Sequence, residues 1–278
     1  MKSEDVERFD RTAEGYLRWW APVLAPASVR MVDRLSRLDP ALQGGGQRTV
    51  LDIGCGTGNE LLEAARRWPA AHLTGLDAST GMLAVARRET GRLPEAIRER
   101  IDFIEADASA IPVPDASFDI VITAFMLQQV PDRSAVLREA HRALRPGGLL
   151  AIYGWLTDTA PFAPDAELEK ALEETGIVRP PARDARSGHY RSIRSAADEL
   201  RSAGFTRVGP RADSLDHRWT VADFIEYRVS TRDADLFGRL DEARTHEVVA
   251  VLRRRLDALS EDQFIHRPPV VSIVARKG

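Results

Sequence analysis

Cysteine is nearly absent from this chain: Cys55 is the one thiol in 278 residues. That excludes an internal disulfide framework and any zinc site built on cysteine pairs, and it agrees with a reducing, cytoplasmic setting. Lysine is scarce as well, standing only at Lys2, Lys170 and Lys277, so the positive charge is almost all arginine. The formal net charge is −3, and no basic stripe with interleaved aromatics is evident. Both observations argue against nucleic acid or an anionic membrane as partner. No apolar run approaches the roughly 20 residues that span a bilayer, and the charged opening MKSEDVERFDR lacks the apolar stretch of a secretory signal. There is neither the GxGxxG fingerprint of nicotinamide and flavin cofactors nor a P-loop.

What is present is an ordinary globular composition, 44% hydrophobic and 29% charged, without internal repeats or low-complexity segments. Residues 3–36 read as helices broken by Pro22 and Pro26, and the run Gln43–Gln47 (QGGGQ) as a flexible linker. From residue 48 short apolar runs alternate with helix-period segments. Strands are expected at 49–53, 72–76, 101–105, 120–125 and 149–154, and helices at 59–68, 80–90 and 133–144. Such alternation predicts a doubly wound α/β fold, a mostly parallel sheet covered on both faces. The rhythm changes after residue 155. An irregular, Pro- and charge-rich stretch over 156–190 holds one short helix near 167–174. A core-type helix follows over 193–203, then a strand over 205–211, a long helical stretch over 215–263, and an apolar strand at 269–276. The expected organisation is an N-terminal helical lid (1–46), an α/β core (47–213 and 266–278, with 156–190 as a cap) and a helical lid insertion (214–265). The last of seven strands should run antiparallel.

The stretch VLDIGCGTGNE (50–60) runs a buried strand into glycines at 54, 56 and 58 and then into a helix. Removing Cβ atoms there lets a ligand lie against the backbone, and the following helix aims its N–H groups at the same spot. Asp77 closes the next strand, 19 positions beyond Gly58, where a carboxylate can accept both hydroxyls of a ribose. It could instead cap the next helix, a role equally open to Ser79. Asp107 follows the third strand, placed to accept from an adenine amino group. All three signals fall at the C-terminal ends of successive strands, the edge at which such sheets bind ligands.

Taken together, VLDIGCGTG, GLDASTGML, EADA, the strand leading to LQQVPD, and the helix ending LRPGGLLAI resemble the motif series of class I S-adenosylmethionine-dependent methyltransferases. The likeness spans roughly residues 48–155. It is closest to the small-molecule branch of quinone-biosynthesis and natural-product enzymes. The resemblance implies S-adenosylmethionine as cofactor. Gly54, Cys55 and Gly56 would pass under its methionine part with Gly58 opening the helix, Asp52 would be among the cofactor-binding residues, and Asp77 would hold the ribose. Ala78 and Met82 would lie against the adenosine, Asp107 and the Ala108 amide at the adenine edge, and Phe125 beside the cofactor. FDRTAEGY (9–16) is similar to a family stretch whose last tyrosine, here Tyr16, lies over the methionine end, though the same ring could simply pack on the core. The chain departs from its relatives at Gln128-Gln129, where they often carry two histidines, so no histidine base is offered there. The motifs of base-methylating, catechol-methylating and arsenic-methylating relatives are absent.

The cofactor would carry the reactivity, and a base is needed only for an acceptor that arrives protonated. No catalytic residue is assigned. His189 and His217 are candidates, each with a solvated loop as the bland reading. Trp20, Gln129, Trp155, Tyr190, Trp219 and Tyr227 are the candidate substrate contacts, suited to a small apolar or aromatic metabolite. The same aromatics would serve core packing or a homodimer contact. No metal site is expected. The alternative function is a protein of the same fold that binds the cofactor or its demethylated product in a scaffold or non-methylating role.

Overall fold

The structure is a computed structural model that describes residues 4–157, 161–179 and 188–278. The chain opens with α1 (Glu4–Gly15), a widened helical turn (Tyr16–Trp20) and α2 (Ala21–Leu38). Next come β1 (Arg48–Ile53), α3 (Asn59–Arg67), β2 (Ala71–Asp77), α4 (Thr80–Gly91), a one-turn α5 (Glu95–Arg98) and β3 (Ile101–Glu105). These are followed by β4 (Phe118–Ala124), α6 (Arg133–Ala143), β5 (Leu144–Trp155), α7 (Ala163–Glu174), α8 (Ile193–Ser202) and β6 (Phe205–Ser214). Last are β7 (His217–Arg218), α9 (Val221–Tyr227), α10 (Ala234–Phe237), α11 (Glu242–Leu256), β8 (Ile265–His266) and β9 (Pro269–Lys277).

Seven strands form one sheet in the order β3-β2-β1-β4-β5-β9-β6. The pairs from β3 through β5 are parallel, and β9 runs antiparallel between β5 and β6. The chain winds outward from β1 to β3 and then returns to β4 on the other side of β1. That reversal opens a crevice at the C-terminal ends of β1 and β4, the usual ligand position in such sheets. Leu51, Ile53, Val121, Leu150, Ile152 and Ile273 are fully enclosed, with Val136, Leu137 and Ala140 of α6 packed on them. Each such side chain contributes about 1.5–3 kcal/mol of burial, so the strand ends stand on a rigid base.

The contacts divide the chain into two units, Met1–Thr157 with Ser187–Ser214 and Pro269–Gly278, and Asp158–Arg186 with Leu215–Pro268. This differs from the sequence expectation in two ways. The N-terminal helices belong with the core, because α2 buries Val23, Leu24, Met31, Val32 and Leu35. The stretch expected as a core cap groups instead with the insertion, because α7 packs on α11. The prolines also act differently than expected. Pro22 sits in the first turn of α2, where its missing N–H costs nothing. Pro26 lies inside the helix, which continues through it because the buried stripe outweighs one lost hydrogen bond. The real interruption is the widened turn at Tyr16–Trp20. In the second unit the expected continuous helices are framed by β7 and β8, a two-residue ribbon too short to show any periodicity. This unit holds Arg228, 4% exposed, between Asp233 at 2.5 Å and Asp165, with Arg179 also on Asp233.

Candidate functional site

The glycine turn sits at the crevice. Gly54 and Cys55 donate their amides to the Leu76 carbonyl at 2.7 and 3.0 Å, which ties the turn to β2. Gly54, Gly56 and Gly58 all have positive φ, at 74°, 54° and 89°. Their surroundings differ. A Cβ on Gly54 would lie 2.2 Å from Cγ of Met126, whereas one on Gly56 would meet nothing within 4 Å. Gly54 is therefore required by packing, and Gly56 faces open space. The Cys55 side chain turns away from that space: Sγ lies 2.8 Å from where a Cβ on Gly75 would stand. Burial pushes its thiol well up, so Cys55 brings only backbone to the site.

Three carboxylates surround the turn. Asp52 is 1% exposed, and among the described residues neither of its oxygens has a hydrogen-bond partner. Burial first, then Glu60 and Asp77, push its carboxyl well above the usual range. Glu60, in the first turn of α3, is also buried and accepts from Ser28 Oγ at 2.8 Å. Asp77 accepts from the Gly56 amide at 2.9 Å and the Ser79 amide at 2.8 Å, and burial raises it as well. Helix α4 is capped by Ser79, whose Oγ accepts from the Met82 amide. That leaves Asp77 to brace the glycine turn. Past β3, Asp107 is exposed and accepts from the Ser109 amide and hydroxyl, which hold its carboxyl below the usual range. Ala108 is buried beside it.

The N-terminal helix reaches the same edge. Met82 and Val85 of α4 pack with Ala13, and Phe9, Tyr16 and Leu17 lie against them. Asp10 accepts from Ser79 Oγ at 2.7 Å and from the Gly81 amide at 2.9 Å. Sequence reasoning quoted this stretch for Tyr16 and passed over Asp10, because its partners lie about 70 positions away. Glu60 was missed for a simpler reason: an acid in a helix's first turn reads as an ordinary dipole partner.

At the far end of the crevice stands an aromatic group. Phe125, just past β4, has φ 55°, a conformation rare for a bulky residue. Its ring lies 4.6 Å from Trp155 and 5.9 Å from Tyr153. Trp155 in turn lies 6.0 Å from Trp20 and 6.3 Å from His189. The Tyr153 hydroxyl donates to Asp213 at 2.8 Å. The structure thus brings Phe125, Trp155, Trp20 and His189 together. Tyr190 is not with them: its ring is buried against Gly154 with Arg133 4.6 Å above it, as core. Gln129 is exposed on the short turn after Phe125.

Trp219, Tyr227 and His217 belong to the second unit. Trp219 stacks on Tyr227 at 4.9 Å, both are buried, and Phe224 meets Trp219 edge-on. His217 packs on Trp219 at 4.6 Å, stands opposite His266 across the ribbon, and is held below its ordinary value by burial. These rings are the interior of their own unit. Among the described residues there is no group of three potential metal ligands.

The first unit's residues suit S-adenosylmethionine. The buried Asp52 carboxyl would suit a cationic or donor group, the space at Gly56 admits a ligand against the backbone, and Asp77 stands beside that turn. Comparison with known proteins agrees. Residues 51–152 match the family of the methyltransferase domain. The chain is 36% identical over 181 residues to 27-O-demethylrifamycin SV methyltransferase of Amycolatopsis mediterranei, covering 64% of this chain and 63% of that protein. It is 44% identical over 152 residues to demethylmenaquinone methyltransferase of Listeria welshimeri, covering 54% of this chain and 62% of that one. It therefore spans less than two thirds of the length of these relatives. Its fold is similar, at a TM-score of 0.53 and 20% identity, to phosphoethanolamine N-methyltransferase 2 of Haemonchus contortus, over 89% of this chain and 52% of that one. Motif series, sheet topology and the match over residues 51–152 thus agree in their likeness to an S-adenosylmethionine-dependent methyltransferase domain.

Proposed function

We propose that this protein transfers a methyl group from S-adenosylmethionine to a small planar or apolar metabolite, of the kind found in quinone or secondary metabolism. The observation that carries the reading is the set of carboxylates at the C-terminal ends of β1 and β2 and just past β3, arranged around an open glycine turn. When bound, the cofactor supplies a sulfonium-activated methyl carbon. Asp77 would hold the ribose hydroxyls, and Asp107 with the Ala108 amide would meet the adenine edge. The buried Asp52 would compensate positive charge at the methionine end. Phe125, Trp155 and Trp20, tilted against one another, would supply an apolar wall against which an acceptor ring can be oriented in line with the methyl, with water excluded. A hydroxyl acceptor would have to lose its proton, and His189, beside Trp155, would be the candidate to take it. The reaction is assigned to the cytoplasm, in keeping with the lone buried thiol.

The test is a panel of phenols, hydroquinones and aliphatic alcohols incubated with protein and S-adenosylmethionine, with S-adenosylhomocysteine release as the readout. Turnover confined to aromatic acceptors, with a raised KM in Trp155→Ala, supports the reading. Tight cofactor binding with no release on any acceptor would sink it.

A further inference from the structure

Asp10 has no place among the cofactor contacts, yet it sits at one end of a continuous chain of hydrogen bonds that reaches them. Its Oδ1 accepts from Ser79 Oγ and from the Gly81 amide. Ser79 Oγ accepts from the Met82 amide, and the Ser79 amide donates to Asp77 Oδ1. The other oxygen of Asp77 accepts from Gly56. One residue, Ser79, is thus shared between the carboxylate on the N-terminal helix and the carboxylate that braces the glycine turn. The backbone is fitted to this contact: a Cβ on Gly81 would stand 2.5 Å from the Asp10 carbonyl oxygen, so only glycine lets α1 come this close. The rest of the α1–α4 contact is a thin apolar strip around Ala13, Met82 and Val85 and an exposed Glu14–Arg88 pair. An exposed pair of that kind contributes little, whereas an anion at a helix N-terminus satisfies both the dipole and amides that lack helical acceptors.

We infer that Asp10 is a positioning residue for the cofactor: it latches α1 onto the N-terminus of α4 and, through Ser79, sets the carboxylate of Asp77 and the glycine turn behind it. Binding at Asp77 and docking of α1 are then one coupled equilibrium. Whatever factor the latch adds to cofactor affinity, the cofactor must return to the docking of α1. The inference rests on Asp77 being the ribose carboxylate.

Titration with S-adenosylhomocysteine, joined to hydrogen exchange of residues 4–15, tests it. Asp10→Ala should weaken binding by about 5- to 50-fold and remove the protection that the ligand confers on α1. Asp10→Asn keeps an acceptor oxygen and should recover most of the affinity. Gly81→Ala leaves every polar group in place and favours helix in α4, so it guards against a fold that fails without Asp10. It should reproduce both losses by pushing α1 away. A merely structural cap would lower the melting temperature of Asp10→Ala and leave its affinity for the ligand intact, and that outcome overturns the proposal. So does an Asp10→Asn variant no better than Asp10→Ala, or a Gly81→Ala variant that binds like the parent. Asp77→Ala is run alongside. If it binds normally, the ribose assignment has failed. If it is weak while Asp10→Ala is normal, only the latch has failed.

Discussion

At the residue scale the carboxylates differ by what each lacks. Asp77 already accepts from two backbone amides, and its loss should remove charge-assisted bonds to a ribose worth about 1–3 kcal/mol. Calorimetric titration of Asp77→Ala with S-adenosylmethionine should therefore show affinity lower by roughly one to two orders of magnitude. Asp52 has no hydrogen-bond partner among the described residues, and so it weighs on the ligand-free fold. A carboxyl raised in the folded state contributes its full stability only below its unfolded value, and that contribution is lost as pH rises through the folded one. Asp52→Asn removes the loss. Without ligand it should be the more stable protein at pH 8.5, by about 1–3 kcal/mol, with the gap closing as pH falls, while binding the cofactor more weakly. Urea unfolding of both proteins across pH checks this. A gap that stays constant or reverses would mean Asp52 is not the cause. Cys55, although it lies in the most telling motif, offers no side-chain chemistry because its thiol is packed against Gly75 and pushed up by burial.

At the scale of the element, the glycine turn separates packing from binding. Gly54→Ala must displace Met126 at a positive φ and should destabilise the fold by about 1–3 kcal/mol. Gly56→Ala has room for its methyl and bears only the left-handed backbone penalty of about 1–2 kcal/mol, yet it places a Cβ in the space left for the ligand. The expected pattern is a larger drop in melting temperature for Gly54→Ala, and a binding defect in Gly56→Ala beyond what its stability explains. Equal behaviour of the two variants would refute the division. Much of this element was legible beforehand. A strand, three glycines and a helix follow from local rules, and the observed strand and helix fall within a residue or two of their expected places. The prolines of α2 were not legible, because burial along α2, a tertiary term, outweighs their local preference. Nor was the positive φ of Phe125, which local preference disfavours and only its neighbours can impose.

At the scale of the whole molecule, stability should follow the ligand. S-adenosylhomocysteine at a hundred times its dissociation constant adds about 2.7 kcal/mol to the unit that binds it, or roughly 5–10 °C in melting temperature for a unit of this size. NADH at the same concentration should add nothing, and a rise with NADH alone would contradict the cofactor. The second unit depends on a different interaction. Arg228 is buried between Asp233 and Asp165, and removing one partner of a buried ion pair costs about 3–5 kcal/mol. Arg228→Ala should therefore lose hydrogen-exchange protection across 221–256; protection equal to the parent's would show that the ion pair does not hold this unit together.

The sequence by itself determined the alternating α/β order, the antiparallel closing strand, the glycine turn and which carboxylates stand at the strand ends beside it. These depend on periodicity and on residue types a few positions apart, and on the rule that such sheets bind at one edge. Only the tertiary structure decided how those parts are held. Asp10 meets Ser79 across 69 positions, and Tyr190 goes to the core while Trp155, Phe125 and Trp20 gather together. Residues 161–179 likewise join the insertion rather than the sheet. The reason is that hydrogen bonds and ring contacts between distant segments leave no period in the chain; they exist only once burial of the sheet has fixed where each segment can lie.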